Sequence, residues 1–387
     1  MKSKKNHSSQ VSPQEHGITR RDFLKAGIGI TLGTAAASLI PQRAPCAEMK
    51  PLVPQLFDGS VKPVVSVIQI KNDRVPYAIE EAIDLLGGLG TVAKGKEKIM
   101  LKPNLVTHDP RYTTSLEVMK TLAQLMKKSG KEVLIGEGSA GALEFNVKGK
   151  EICRTKNREI LDGMQKFVFE KLGYTDLAKS LDVPLVNLHS GEMMDVPVAN
   201  GYAFDKITLH RSLSDIDLLC SVPIMKTHGL ATVTLGMKNL IGVYPGTIYY
   251  AVRSWLHDYA HDKGSPGVAY EIVDAVKANK LGLTVIDAHW AVEGQGPTEP
   301  GTRIKMDLIV AGMNPLATDM VAAKIMGFEM SEVPTFAWAH KAGMKPMDID
   351  EIEVRGAKVN EVRKNFLKPQ IYPWASINKF WGAREIL

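Results

Sequence analysis

The chain has 387 residues, of which 44% are hydrophobic, and a formal charge of +6 at pH 7. This length suits one large α/β domain or two smaller domains, and the hydrophobic fraction is ordinary for a globular protein. Seven of the 48 basic and two of the 42 acidic residues lie in the first 47 positions, which leaves 41 basic against 40 acidic residues. That balance argues against a basic surface for nucleic acid or anionic membrane.

The first 47 residues have the pattern of a signal peptide rather than of a folded domain. Arg20 and Arg21 precede Phe23, Leu24 and the apolar run Ala26–Ile40, which is short for a membrane-spanning helix. The segment resembles a twin-arginine (Tat) export signal. This resemblance implies transport by the Tat translocase, a periplasmic or exported protein, and no stable membrane span after removal of residues 1–47. An amphipathic N-terminal helix is the alternative.

The chain has three cysteines, and Cys46 would leave with the signal. The two that remain, Cys153 and Cys220, cannot supply a four-thiolate iron-sulfur site or a cysteine-rich zinc site. Sequence alone leaves open whether these two form a disulfide or stay as buried thiols.

Beyond a proline-containing linker at 48–62, apolar strand-like runs alternate with amphipathic helical runs. The pattern predicts an α/β domain at 63–356 with a mostly parallel central sheet and helices on both faces. The layering would be Rossmann-like, but the G-x-G-x-x-G dinucleotide fingerprint is missing. An aromatic C-terminal tail, 357–387, is expected to pack on this domain. The predicted strands lie near 64–70, 98–106, 132–139, 183–188, 204–209, 215–224, 281–288, 306–312 and 351–356, and the predicted helices near 75–90, 115–130, 157–172, 267–280 and 313–328.

Five of the predicted strands end in polar residues. Ligands of open parallel sheets bind at the carboxyl ends of the strands, so these residues predict a common cleft. They are Lys102 with Asn104, Glu137 with Ser139, Lys226 with His228, Asp287, and Asn314 followed by Asp319.

The lysines of this set, together with Lys238, indicate an anionic ligand. Lys102, Lys226 and Lys238 would neutralise a carboxylate or phosphate, while Asn104 and Asn239 would orient it. The segment Glu293–Pro297 contains Gly294 and Gly296, which allow backbone N–H groups to approach an anion closely. We therefore assign Glu293, Gly294 and Gly296 to the ligand-binding set as well.

His228 is the first candidate for proton transfer, because histidine titrates near neutral pH. Glu137 and Asp287 are the candidate bases beside it, and Asp287 with His289 is a further candidate acid–base pair. The same carboxylates, with Glu293 and Asp319, are alternatively suited to a hard divalent cation.

A second group of candidate metal ligands occurs in the segment RSWLHDYAHD. His257 and His261 are four residues apart and would face the same way on a helix. We assign both to a metal site, with Asp258 or Asp262 as a companion ligand. Asp319 is a further candidate metal ligand. Two surface histidines beside aspartates are the alternative.

Five segments together resemble the family called domain of unknown function 362. They are KPNLV (Lys102–Val106), GEGS (Gly136–Ser139), KTHGLATVTLGMKNLIG (Lys226–Gly242), EGQGP (Glu293–Pro297) and NPLATDMVAAKIMG (Asn314–Gly327). Many members of that family carry a ferredoxin-like module with two four-iron clusters. This sequence has no C-x-x-C-x-x-C run, so the resemblance implies no iron-sulfur cluster of its own but a ferredoxin-like redox partner.

These observations favour an exported enzyme or cofactor-handling protein that binds a small anionic molecule, with a divalent metal as a candidate cofactor. A non-catalytic binding or assembly protein that works with an iron-sulfur redox partner is the alternative. A purely structural role for residues 226–239 is a third reading. The reaction does not follow from the sequence.

Overall fold

The computed structural model describes residues 61–148 and 151–373, apart from the side chains of residues 148 and 151. The predicted signal at 1–47 and the tail residues Trp374, Phe380 and Trp381 lie outside the described residues. All described residues belong to the unit Glu48–Leu387.

Fourteen strands are found among the described residues. They are β1 (Val64–Gln69), β2 (Lys98–Pro103), β3 (Glu132–Glu137), β4 (Val147–Lys148), β5 (Glu151–Ile152), β6 (Leu185–Asn187), β7 (Met193–Pro197), β8 (Lys206–His210), β9 (Leu218–Val222), β10 (Ile224–His228), β11 (Thr232–Thr234), β12 (Leu281–Glu293), β13 (Thr302–Gly312) and β14 (Glu353–Gly356).

Helices occupy most of the connections. They are α1 (Val75–Leu85), α2 (Leu89–Val92), α3 (Leu116–Lys128), α4 (Arg158–Lys171), α5 (Tyr174–Leu181), α6 (Ser212–Asp215), α7 (Gly236–Asn239), α8 (Gly246–Tyr249), α9 (Ser254–Asp262), α10 (Ala269–Ala278), α11 (Pro315–Ile325), α12 (Pro334–Lys341) and α13 (Val359–Val362). Their starts follow capping chemistry, since the side chains of Ser115, Asn157 and Asn314 accept backbone N–H bonds at the first turns of α3, α4 and α11.

A central sheet joins ten of the strands. Eight of them follow the order β14-β1-β13-β12-β9-β2-β3-β6, while β10 pairs with β12 and β11. Neighbouring strands are parallel except where β13 pairs with β1 and β12, and where β11 pairs with β10. The prediction of a mostly parallel sheet is therefore confirmed.

Each face of the sheet has its own hydrophobic core. On β13, Leu308 and Val310 pack into one core, and Ile309 and Ala311 pack into the other. Helices α10 and α11 contribute to the first core, and α1, α3 and α4 to the second. Because side chains alternate between the two faces of a strand, this pattern confirms that helices cover both faces.

Two strands differ from the predictions in ways that move candidate residues. β12 does not end near Ala288 but continues to Glu293 and forms an antiparallel pair with β13. Asp287 therefore lies within a strand. β13 is antiparallel to its neighbours β1 and β12. Its carboxyl end, which Asn314 follows, therefore lies at the opposite edge of the sheet from the carboxyl ends of β2 and β3. The prediction that five strand ends share one edge is wrong for β13. β12 is parallel to β9 and β10, so its carboxyl end lies at the predicted edge, but Asp287 lies within this strand rather than at its end.

Cys153 and Cys220 are both buried and unpaired. Burial raises the pKa of the Cys220 thiol, so this thiol has little thiolate character near neutral pH. Among the described residues, no helix is long and apolar enough to cross a membrane.

Candidate functional site

A cavity of about 610 Å³ opens at the carboxyl ends of β2 and β3. Its wall includes eight of the predicted site residues, and it adds Arg253 and Tyr372, which were not among them. The eight are Lys102, Asn104, Glu137, His228, Lys238, Asn239, His257 and Gly296. The other six predicted residues are not part of the wall: Lys226, Asp287, Glu293, Gly294, His261 and Asp319.

A buried ion pair whose hydrogen bonds are all made within the protein forms the floor of the cavity. Lys102 Nζ lies 2.8 Å from Glu137 Oε1, and both side chains are almost fully buried. The ammonium group also donates to Pro103 O and Asn239 Oδ1, while Glu137 accepts from the backbone N–H groups of Leu105 and Gly138. With all three ammonium protons used, Lys102 holds the floor together rather than offering a charge to a ligand.

Two asparagines extend this floor. Asn239 donates to Lys102 O and to Ser221 Oγ, each at 3.1 Å, and Asn104 donates to Asn239 Oδ1 at 3.0 Å. Asn104 Oδ1 is buried and has no hydrogen-bond partner among the described residues. An unpaired buried amide oxygen is costly, so Asn104 has an acceptor to offer to a donor group of a ligand or a water molecule.

The structure separates the two lysines of the segment Lys226–Lys238. Lys226 is 1% exposed, lies outside the cavity wall and donates to Tyr112 O. Burial, followed by the charge of Lys238, holds the pKa of Lys226 well below its usual value. Lys238 lines the cavity and is only partly buried. It forms no hydrogen bond or ion pair with the residues that the structure describes.

Lys238 is consequently the ammonium group that the cavity presents. Burial lowers its pKa to about 8, Glu271 opposes this shift, and the charges of Arg253 and Lys102 add to it. At pH 7 most Lys238 side chains therefore carry a charge that an anion in the cavity would stabilise.

Arg253 binds the glycine-containing loops around the cavity. Its guanidinium group is 2% exposed and donates to the carbonyl oxygens of Gly138, Ser139, Gly242 and Tyr244. All these acceptors are neutral, and burial lowers the pKa of Arg253 to about 10. The sequence could have indicated Arg253 as a site residue only through its position just before His257 and His261. Its burial depends on tertiary packing, which the sequence does not show.

His228 has a defined tautomer. Its Nδ1 accepts from Leu230 N at 3.0 Å and from Ala231 N at 3.4 Å, so the proton of the neutral ring is on Nε2. Burial, then the charges of Lys238 and Lys226, holds the pKa of His228 well below its usual value. His228 is therefore a hydrogen-bond donor at Nε2; the sequence indicated a role in proton transfer without giving its direction.

His257 forms a pair that the sequence analysis missed. Its Nδ1 lies 2.8 Å from Glu271 Oε1, and Glu271 is fully buried and also accepts from Ser265 Oγ. Because a carboxylate only accepts, Nδ1 carries a proton, and in the neutral ring Nε2 is the acceptor nitrogen. In the sequence, Glu271 stands out as an acidic residue within the mostly apolar helix α10. Nothing in the sequence shows that it pairs with His257 of α9.

Two predicted carboxylates bind backbone groups instead of a ligand. Asp287 accepts from the N–H groups of Ser115 and His289, at the start of α3 and within β12. Asp319 accepts from the N–H groups of Gly236 and Met237, each at 2.8 Å, at the start of α7. Burial raises the pKa of both carboxyl groups, that of Asp319 to about 7. Both lie outside the cavity wall, and Asp319 positions α7, which contributes Lys238 and Asn239 to that wall.

The segment after β12 lies along the cavity mouth. Glu293 Oε2 accepts from Leu367 N, and Gly294 N donates to Leu367 O. Gly296 lines the cavity at a point where an added Cβ would lie 2.1 Å from Thr227 O. Of the three predicted residues, Gly296 thus forms cavity wall, while Glu293 and Gly294 hold the chain near Leu367.

The predicted metal ligands do not meet. His261 is partly exposed near Asp262, His257 bonds Glu271, and Asp319 lies at α7. Within residues 61–148 and 151–373, one group of three has suitable donor spacing: Asp73, His289 and Asp307. Lys305 Nζ is 2.8 Å from Asp73 Oδ1 and 3.4 Å from Asp307 Oδ1, so a lysine already neutralises these carboxylates. None of the three lines the cavity.

Comparison with known proteins identifies the family. The profile described as "Domain of unknown function (DUF362)" matches residues 99–324, more than half of the chain. The chain belongs to this family. The matched span of this DUF362 protein contains Lys102, Glu137, His228, Lys238, Asn239, Arg253, His257 and Glu271.

One curated relative and two solved structures are similar to this DUF362 protein. A thylakoid-associated protein of Synechocystis is 27% identical over 272 residues, which cover 70% of this chain and 75% of that protein. The lactate racemase apoprotein of Thermoanaerobacterium thermosaccharolyticum gives a TM-score of 0.41 at 12% identity over 70% of this chain, and a protein of Thermotoga maritima gives 0.38 at 15% over 66%. The match spans 58% and 60% of those two solved chains.

Proposed function

We propose that this protein binds a small anionic molecule, a carboxylate or a phosphate, in the cavity at the carboxyl ends of β2 and β3. The observation that carries the proposal is Lys238. It reaches the cavity from α7 without an acidic partner among the described residues, and its pKa of about 8 leaves it charged at neutral pH.

The surrounding charges support the same conclusion. Lys102, Lys226 and Arg253 lie close enough to interact electrostatically with one another or with Lys238. Only two buried carboxylates of the described residues, Glu137 and Glu271, oppose these four basic groups. Burying charge in a low-dielectric site is unfavourable unless an opposite charge compensates it. A bound anion would supply that compensation.

The two histidines of the wall favour an enzyme over a passive binding protein. His257, held through Nδ1 by Glu271, would accept a proton at Nε2, and His228 would donate a hydrogen bond from Nε2. His257 is near enough for its charge to lower the pKa of His228. An acceptor and a donor beside an anion-binding ammonium are the groups needed to move a proton on a bound substrate.

We also propose that the protein is exported through the Tat pathway, on the basis of Arg20, Arg21 and the apolar run Ala26–Ile40. A ferredoxin-like redox partner remains a prediction from the family resemblance.

The experiment that tests ligand binding is thermal unfolding of the purified protein at pH 7 with sodium acetate or sodium phosphate, and with sodium chloride as the ionic-strength control. A ligand at roughly 100 times its Kd stabilises the folded state by about 2.7 kcal/mol. We expect acetate, phosphate or both to raise the Tm beyond chloride. Identical unfolding curves in all three salts would contradict the proposal.

A further inference from the structure

The cavity is much larger than an anionic headgroup. Its volume is about 610 Å³, whereas acetate or phosphate, with four or five heavy atoms, takes the space of about five water molecules, roughly 150 Å³. A headgroup at Lys238 would therefore leave most of the cavity for another part of the ligand.

The remaining wall is largely apolar. Val252, Ala140, Ile152 and Leu230 pack together as one cluster. Leu143, which is 47% exposed, belongs to the same wall. Apolar side chains that line the cavity include Val106, Leu143, Val147, Ile152, Leu230 and Val252.

The wall combines charged and apolar groups. Lys102, Glu137 and Lys238 are supplied by the ends of β2 and β3 and by α7. Apolar side chains come from 140–152, which includes the hairpin β4–β5, and from Leu230 and Val252. A wall that offers both an ammonium group and apolar side chains suits a ligand that has a charged headgroup and an apolar body.

We infer that the ligand of this cavity is an amphipathic anion, with one carboxylate or phosphate headgroup at Lys238 and an apolar body against Leu143, Ile152 and Val252. This inference rests on the proposed function and narrows its substrate class. Burial of the apolar body removes water from the apolar wall, so each added methylene group strengthens binding until the cavity is filled.

The test is a calorimetric titration at pH 7 with acetate, butyrate, hexanoate and octanoate. Each buried methylene carries about a fourfold gain in affinity, so octanoate should bind far more than tenfold tighter than butyrate. Inorganic phosphate and hexyl phosphate form a second arm that distinguishes the two headgroups. Octylamine, which has the same chain on a cation, should not bind.

Two variants test the wall directly. Leu143→Ser removes an exposed apolar side chain from the wall, and Met347→Ser is its control, because Met347 is similarly exposed at 45% but lies outside the cavity. We expect Leu143→Ser to weaken octanoate binding severalfold and leave acetate binding unchanged. Met347→Ser should change neither affinity.

The outcomes separate this inference from the proposed function. If acetate and octanoate bind with equal affinity, the apolar wall is not used and the inference is overturned, while anion binding stands. If octylamine binds as tightly as octanoate, or if no anion of either arm binds, the proposed function fails and the inference fails with it.

Discussion

At the scale of single residues, the main distinction is between basic groups that hold the fold and one that faces the cavity. Lys102 and Arg253 use their donors on Glu137, Asn239 and backbone carbonyl groups. Lys238 has no such partner among the described residues. The sequence shows all three as basic residues within mixed polar and apolar segments, and only tertiary packing tells them apart.

The Lys102–Glu137 pair predicts a large effect of Glu137→Gln. This change leaves the Lys102 charge buried without its carboxylate, which typically costs about 3–5 kcal/mol. The matched control is Glu132→Gln at the other end of β3, whose pair with Lys98 is exposed and should contribute at most about 1 kcal/mol. Urea unfolding measures both changes, and equal small losses would show that the buried pair does not support the floor.

The histidine tautomers give a second prediction at this scale. The neutral ring of His257 should be protonated at Nδ1, and the neutral rings of His228 and His189 at Nε2. His189 is an internal control, since its Nδ1 accepts from Gly246 N and its Nε2 lies 2.8 Å from Ser139 O. Two-bond ¹⁵N–¹H NMR correlations distinguish the tautomers, and an Nε2-protonated neutral His257 would contradict its assignment as a proton acceptor.

At the scale of elements, the sequence was a good guide to which segments form helices and strands, but not to the direction of every strand. Apolar runs and capping residues predicted β1, β2, β3, α3 and α4 within a few residues. The direction of β13 depends on its antiparallel pairing with β12, which local periodicity does not encode. The same limit explains why Asn314 was assigned to the ligand edge. It also explains why β12 was expected to end near Ala288, since its extension to Glu293 pairs with β13.

The candidate site shows the corresponding pattern. The residues at the ends of β2, β3 and β10 could be predicted, because strand ends in a parallel sheet converge. The pair of His257 and Glu271 could not, because its members lie on different helices, α9 and α10. Lys226 was predicted to bind the ligand because the sequence does not show its burial or its bond to Tyr112 O. Both depend on packing between distant segments.

A third prediction concerns the short segment after α7. An added Cβ at Gly242 would lie 2.3 Å from Glu137 Oε1 and 2.5 Å from Lys102 Nζ, so Gly242→Ala forces the buried pair apart. We expect a loss of about 1–3 kcal/mol in unfolding free energy, as for overpacked interiors, together with weaker anion binding. Gly90→Ala is the control, since nothing among the described residues lies within 4 Å of the position that its added methyl group would take. A Gly242→Ala protein as stable as Gly90→Ala would contradict the tight packing.

At the scale of the whole molecule, the export prediction depends on residues 1–47, which the family profile does not match. Replacing Arg20 and Arg21 together by lysine should keep the precursor in the cytoplasm, because the paired arginines are what the Tat resemblance rests on. Arg43→Lys is the control substitution within the same segment. Cell fractionation measures the result, and undiminished export of the double variant would contradict the Tat assignment.

The central claim is that Lys238 binds an anion, and calorimetric titration of the wild-type protein and Lys238→Met with octanoate tests it most directly. Lys358→Met is the control, since the Lys358 side chain is 84% exposed and lies outside the cavity. We predict that binding at pH 7 is lost in Lys238→Met, with no loss of thermal stability, because the substitution removes a charge that burial disfavours. In the wild-type protein the affinity for octanoate should fall as the pH rises through about 8, where Lys238 loses its proton.

Two results would contradict the account. One is an octanoate affinity of Lys238→Met equal to that of the wild-type protein, and the other is a wild-type affinity that does not change between pH 7 and pH 9.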